Sequence, residues 1–199
     1  MTKEFLIAAT GGNAKAAEAL LPYIIETCEM FEINTLKRQL AFLSQVGHES
    51  GGLFYTEELA SGEAYNNRKD LGNTSPGDGP LYKGRGLIQI TGKANYKSLS
   101  EAVHKDLVAN PKLLGGKNTG VSTADQLRLS ALSAGWYWNK TKLNQYADLM
   151  NPAVGVTAEP NLSNYKTITK KINGGYNGLE DRQKRYEAGR TYAAKNNMS

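Results

Sequence analysis

The sequence predicts a mainly α-helical fold with one small β element, and three observations carry that prediction. Apolar residues recur at helical spacing in six stretches between residues 13 and 194. One short run, residues 88–91, alternates apolar and polar side chains as a strand does. Residues 60–84 are dense in Gly, Asn, Asp, Ser and Pro, the chemistry of turns, and they divide the early helices from the later ones.

The first helix is expected over 13–32, with Asn13 as N-cap and Leu20, Leu21, Ile24, Ile25 and Cys28 along its apolar face. Pro22 predicts a kink or a break inside it. Cys28 reads as a buried, inert thiol, because no electropositive partner stands beside it to stabilise a thiolate. Asn34 or Thr35 caps a second helix, in which Leu36, Leu40, Leu43 and Val46 fall at i, i+4, i+7 and i+10 and form one buried stripe. That helix delivers His48 and Glu49 at its C-terminal end, and Gly51 and Gly52 then let the chain turn sharply. A helix C-terminus disfavours negative charge, so Glu49 is expected to hold its proton there. Glu57 or Glu58 then returns to face it.

The stretch 60–84 is long enough to be a functional loop, and Tyr65, Arg68 and Tyr82 suit a sugar-lined wall. In the expected strand, Ile88 and Ile90 take one face, while Gln89 and Thr91 present an amide and a hydroxyl on the other. Gly84-Arg85-Gly86 is no phosphate loop, since the Lys-Ser/Thr of that motif is missing. Helix resumes near Asn95 and Tyr96 and runs through Leu107 to a break at Asn110-Pro111. Ser122-Thr123-Ala124-Asp125 caps the next helix, which carries Leu127, Leu129, Leu132 and Ala134 and ends at Trp136, Tyr137 and Trp138. The two indoles are assigned to core packing ahead of sugar stacking, given the area a buried Trp covers. Residues 151–163 read as a connecting loop, 164–172 as helix stopped by Asn173-Gly174-Gly175, and Glu180-Asp181-Arg182 opens a C-terminal helix to about Ala194.

The 199 residues fit one domain with no internal repeat and no separate wall-binding module. A net charge of +5 favours an anionic partner without choosing among a bacterial wall, a membrane surface and nucleic acid. With Cys28 alone, no intrachain disulfide can form, which suits a reducing compartment. The apolar run at 5–9 is short for a signal sequence and follows acidic Glu4, and no stretch reaches the ~20 apolar residues of a membrane span. Synthesis in the host cytoplasm is therefore expected, with no stable membrane insertion and with release by another agent.

Two carboxylates in different surroundings are what acid–base cleavage of a glycosidic bond requires. Other chemistries fit less well. His48 and His104 are the two histidines, and His48-Glu49 lacks the second His that a zincin helix places at i+4, so no metal site is predicted. His104 reads as a solvent-facing helix residue. No elbow motif supports a Ser or Cys nucleophile, and nucleic-acid binding would rest on charge alone.

Four motifs in order, His48-Glu49-Ser50-Gly51-Gly52, Glu58, Lys83 to Thr91 with Asn95-Tyr96, and Ile172-Asn173-Gly174-Gly175, resemble glycoside hydrolase family 19 over about residues 35–186. That family contains chitinases and phage endolysins, and the short form resembles the endolysins most. The resemblance implies a lysozyme-like α+β fold with a substrate cleft between two lobes, cleaving β-1,4 links beside N-acetylated amino sugars with inversion. It makes Glu49 the general acid and Glu58, rather than Glu57, the general base. Thr91 helps to hold the attacking water, with Gln89 beside it. His48, Asn95, Tyr96 and Asn173 match substrate-side positions, and Glu180 and Arg182 match a buried charge network near the cleft, Arg182 counted also on the substrate side. No cofactor is implied. Leu87 stands where many members have proline and Thr91 where many have serine. The disulfides of plant members cannot form here, and the loop after Glu58 differs from chitinase forms.

The resulting expectation is a monomeric, single-domain hydrolase of peptidoglycan glycan strands. A chitinase on N-acetylglucosamine polymers, a lytic transglycosylase and a non-catalytic glycan-binding protein are the competing readings.

Overall fold

Helix starts follow the short polar side chains that replace missing helical acceptors. In the computed structural model, which describes residues 1–198, Asn13 accepts from the Ala16 N–H at 2.9 Å and starts α2, Ala14–Met30. Thr35 does the same for α3, Leu36–Glu49, and Thr123 with Gln126 forms a reciprocal capping box at the head of α6, Ala124–Lys140. The remaining α-helices among the described residues are α1 (Lys3–Thr10), α4 (Asp78–Leu81), α5 (Lys93–Val103), α7 (Asn144–Ala147), α8 (Asn161–Asn173) and α9 (Leu179–Lys195), with short 3-10 turns at Glu63–Tyr65, Lys69–Leu71, Pro111–Leu114 and Thr119–Val121.

The apolar stripe of α3 lies in the centre of the molecule. Leu40, Leu43 and Val46 have no exposed surface, and burying each contributes about 1.5–3 kcal/mol. α9 packs on α1 and α3, while α2 packs on α6. The α2–α6 contact is close because residue 135 is glycine: a Cβ there would strike the Phe31 ring. Trp138 is fully buried edge-on to Phe42, and its indole N–H donates to Asn144 Oδ1 at 2.8 Å. Trp136 is buried as well, with the Lys140 ammonium over its ring, so both indoles belong to the core as expected.

Several boundaries differ from the sequence reading. The N-terminal apolar run is itself a helix, α1, capped by Thr2 and buried through Phe5, Leu6 and Ala9. Pro22 does not break α2; it stands on the exposed side, where water can reach the carbonyl of Glu18 that its missing N–H leaves free. α5 stops at Val103, and His104 is its exposed C-cap in the left-handed region. α6 continues past the tryptophans to Lys140, and α8 begins at Asn161, whose buried amide ties together residues 151–155.

The expected strand at 88–91 is absent. Gln89 has φ +56°, its N–H and its side-chain Nε2 both donate to the Gly86 carbonyl, and the segment is a tight turn. The β content consists of isolated bridges, Tyr55 with Asn118, Glu57 with Arg85 and Arg85 with Ile90. No helix among the described residues is long and apolar enough to cross a membrane.

Candidate active site

Glu49 is the last residue of α3, and the chain reverses immediately after it. The Ser50 hydroxyl donates to the Val46 carbonyl and accepts from the Leu53 N–H, while Gly51 and Gly52 take φ of +60° and +73°. The Glu49 carboxylate meets Arg182 of α9 in an ion pair at 2.5 Å, and the guanidinium is fully buried. Arg182 Nη1 also donates to Gln45 Oε1 at 2.6 Å, and Gln45 donates to Thr169 of α8 at 2.9 Å. The Arg182 carbonyl accepts from Tyr165, whose hydroxyl lies 2.8 Å from Ser44. One buried network thus joins α3, α8 and α9 beneath Glu49. The helix C-terminus is therefore not the only electrostatic neighbour of this carboxylate, because a cation faces it as well.

His48, one residue earlier on α3, also meets α9. Its Nδ1 lies 2.7 Å from Asp181 Oδ2, which also accepts from Arg185, and Arg185 reaches the Thr10 carbonyl. Burial pushes the Asp181 carboxyl up, but Arg185 and His48 more than offset this and hold it below the usual carboxylate range. A Cβ at residue 178 would strike the His48 ring, so Gly178 lets the 174–178 turn close over it.

Glu58 arrives on a segment that is laced between two others. Thr56 accepts from the Gly86 N–H, the Thr56 hydroxyl donates to the Gly116 carbonyl, and the Glu58 N–H donates to the Gly84 carbonyl at 2.8 Å. The Glu58 carboxylate accepts from the Tyr65 hydroxyl at 3.0 Å and the Gly84 N–H at 3.1 Å. Its neighbour Glu57 is bound by Lys83 at 2.9 Å and Arg85 at 2.8 Å. Burial raises the Glu57 carboxyl, yet the Lys83 and Arg85 hydrogen bonds outweigh it and leave Glu57 below its ordinary range. Of the two carboxylates left open by spacing, Glu57 is neutralised by two cations, and Glu58 has no cation hydrogen-bonded to its side chain among the described residues. A cavity of about 250 Å³ lined by Glu57, Glu58, Leu59, Lys83 and Lys117 lies at this point.

Gln89 and Thr91 reach the same neighbourhood on a turn instead of a strand. A Cβ at Gly84 would lie 2.9 Å from Gln89 Oε1 and 3.2 Å from Glu58 Oε2, so both side chains flank that glycine. Thr91 donates to the Gln89 carbonyl at 3.0 Å, and Asn95 donates to the Thr91 carbonyl at 2.9 Å. Gln89, Thr91 and Asn95 line a cavity of about 180 Å³ together with Tyr137 of α6 and Ile172 of α8. Tyr137 was assigned to the end of a core helix, yet its phenol is pushed up by burial and by the nearby Glu49 carboxylate. It lies between the two groups of residues, and an aromatic flanked by tryptophans carries no sequence signal for that position.

Two expected substrate contacts sit elsewhere. Tyr96 has no exposed surface; its hydroxyl donates to the Lys83 carbonyl at 2.7 Å and accepts from Arg85, so it braces the 83–85 segment from inside. Arg182 lies in a buried charge network, as the resemblance implies, and it meets Glu49 instead of lining the substrate side. Asn173 is exposed as the last residue of α8, and Glu180 is exposed in a surface pair with Lys184, outside the buried network.

Residues 26–192 match the sequence model of glycoside hydrolase family 19, described as chitinase class I. A family 19 domain-containing protein of Haemophilus influenzae is 30% identical, with 76% of this chain and 78% of that protein covered. An endochitinase of Pisum sativum is 31% identical over 71% of this chain but only 47% of its own length, so the chain spans about half of such plant relatives. In fold, the chain resembles a bacterial family 19 chitinase with a TM-score of 0.64 and 22% identity, covering 96% of this chain and 93% of that one. It also resembles chitinase C of Streptomyces griseus, with a TM-score of 0.60 and 23% identity over 97% of this chain and 75% of that one. The match across most of its length means that the chain belongs to glycoside hydrolase family 19, the chitinase class I family.

Proposed function

We propose that the chain hydrolyses β-1,4 bonds beside N-acetylated amino sugars with inversion, and that its polymer is the glycan strand of peptidoglycan. The observation that carries the reading is the pair of unlike carboxylates, Glu49 against a buried guanidinium and Glu58 against a phenol and a backbone N–H. Arg182 occupies Glu49 Oε1, which leaves Oε2 to carry the proton given to the leaving glycosidic oxygen. Glu58 takes a proton from the water that attacks the anomeric carbon from the opposite face, and Thr91 and Gln89 hold that water. An inverting pair keeps its carboxyls roughly 6.5–9.5 Å apart to admit the water. His48, Asn95 and Asn173 complete the site on the substrate side, and Tyr137 joins them.

Lys117 lines the Glu58 cavity beside Lys83, whose charge Glu57 already holds, and Lys140 donates to Asn95 at 3.3 Å. These cations suit a polymer bearing lactyl and stem-peptide carboxylates better than neutral chitin. In this reading the protein is a bacteriolytic endolysin. Chitin is the second reading, supported by the endochitinase and chitinase names of the relatives.

Mass spectrometry of the soluble products from purified peptidoglycan and from chitin oligomers tests both. Reducing-end muropeptides without an anhydro form are expected. Products from chitin alone would transfer the assignment to a chitinase. Anhydro-muropeptides would mean a transglycosylase, and no products from either polymer would mean a glycan-binding protein.

A further inference from the structure

A cavity of about 690 Å³ lies between α4, the turn at Pro111–Leu114 and the start of α6, and neither Glu49 nor Glu58 lines it. Its size falls within the range of small-molecule sites. Pro80, Leu81, Pro111 and Leu113 give it apolar walls, and none of its lining residues is acidic. Arg85 is the buried charged group in the wall, and its side chain is 4% exposed. The Nε atom holds Glu57 at 2.8 Å, and Nη1 donates to the Leu81 carbonyl at 2.8 Å and the Tyr96 hydroxyl at 3.0 Å. Nη2 makes no hydrogen bond among the described residues and is not one of the buried unpaired atoms, so it keeps contact with solvent. A largely buried guanidinium with an unused N–H favours any acceptor that reaches it. Lys112, exposed on the same lining, supplies a second cation.

We propose that this cavity binds the terminal carboxylate of a short peptide with small apolar side chains. The carboxylate meets Arg85 Nη2 and Lys112, and the apolar residues lie along Pro80, Leu81 and Leu113. Glu57 keeps Lys83 as a partner when Arg85 takes a second carboxylate. Such a carboxylate has two sources, a free peptide or a stem peptide carried on a glycan strand, and only the second rests on the peptidoglycan reading above.

Titration of the full chain with tri-alanine and with its C-terminal amide, followed by calorimetry, tests the site. The acid is expected to bind at least about tenfold more tightly than the amide, the worth of one charge-assisted hydrogen bond. That preference should disappear in Lys112→Glu, and binding of either form should be lost in Leu113→Trp, which fills the cavity; circular dichroism checks that both variants are folded. Equal affinity for acid and amide, or unchanged binding in both folded variants, would overturn the proposal. To separate the sources, peptidoglycan is compared before and after its stem peptides are removed. A KM raised in Lys112→Glu only on intact peptidoglycan assigns the site to the strand-borne peptide, and an unchanged KM assigns it to free peptide. Cleavage of chitin alone would end the peptidoglycan reading, while the acid-versus-amide comparison would still decide the site.

Discussion

Glu49 and Glu58 stand on supports of different kinds. Glu49 ends a regular helix and rests on buried side chains contributed by α3, α8 and α9, with Arg182 at their centre. Glu58 lies on irregular chain, and its place is set by backbone hydrogen bonds to residues 84 and 86 and by one phenol. The first support is a polar network sealed in a low-dielectric core, where removing one member strands the others. The second is a lacing of main-chain groups that most side-chain substitutions leave untouched. The same chemical group is therefore coupled to global stability in one place and nearly independent of it in the other.

The largest effect should come from Arg182→Ala. It leaves Gln45 and Glu49 without their donor inside the core and should cost about 3–5 kcal/mol, read by denaturant unfolding. A loss below about 1 kcal/mol, the range of a surface pair, would break the comparison.

Replacing each carboxyl by an amide sharpens it. Glu49→Gln and Glu58→Gln should each lower kcat by about 10²–10⁴, the usual worth of an acid or base. Only Glu49→Gln should also lower the melting temperature, since it alone alters a group that accepts from a buried guanidinium. Equal thermal shifts in the two variants would mean that Glu58 is as deeply coupled as Glu49.

The lacing itself is probed at Gly84 and Thr91. In Gly84→Ala the new methyl would crowd Gln89 Oε1 and Glu58 Oε2, so turnover should fall by about tenfold to a hundredfold while the protein stays folded. Thr91→Ala should reduce kcat more than it raises KM if, as proposed, the hydroxyl positions water and does not hold the sugar. A change in KM alone would contradict that role.

The smallest effect concerns pH. The Glu57 carboxyl is depressed in the folded chain, so its contribution to stability is present above the unfolded value of about 4.3 and is lost as pH falls through the lower folded value. Unfolding measured from pH 7 down to pH 3 should therefore show a shallower acid loss in Glu57→Gln than in the parent chain. Identical slopes would show that Lys83 and Arg85 do not favour its charged form.

These supports differ in how far they were legible beforehand. α2, α3 and α6 announce themselves through Asn13, Thr35 and Thr123 and through apolar stripes several turns long, so Glu49 at the end of α3 was placed correctly. α1 and α7 are too short to show such a period, and they are helices because α9 and α8 pack against them. The turn at 86–89 was misread because Ile88-Gln89-Ile90-Thr91 alternates like a strand. Periodicity carries no information about the positive φ that Gln89 adopts. Tyr96, and Arg182 in its substrate-side role, lie beneath the surface instead, because polar groups in a motif look alike whether they line a site or lie under it.

By itself, the sequence determined the helical class, the family and the carboxylate at the end of α3, and the resemblance proposes Glu58 over its neighbour Glu57. These are properties of local spacing and of motif order. Only the tertiary structure decided that Arg182 sits under Glu49, that Lys83 and Arg85 neutralise Glu57, and that Tyr137 lies between the two sides of the site. Those contacts join residues far apart in the chain, such as Glu49 and Arg182, which are 133 positions apart. Such pairings depend on how helices pack, and no local pattern of residues encodes that.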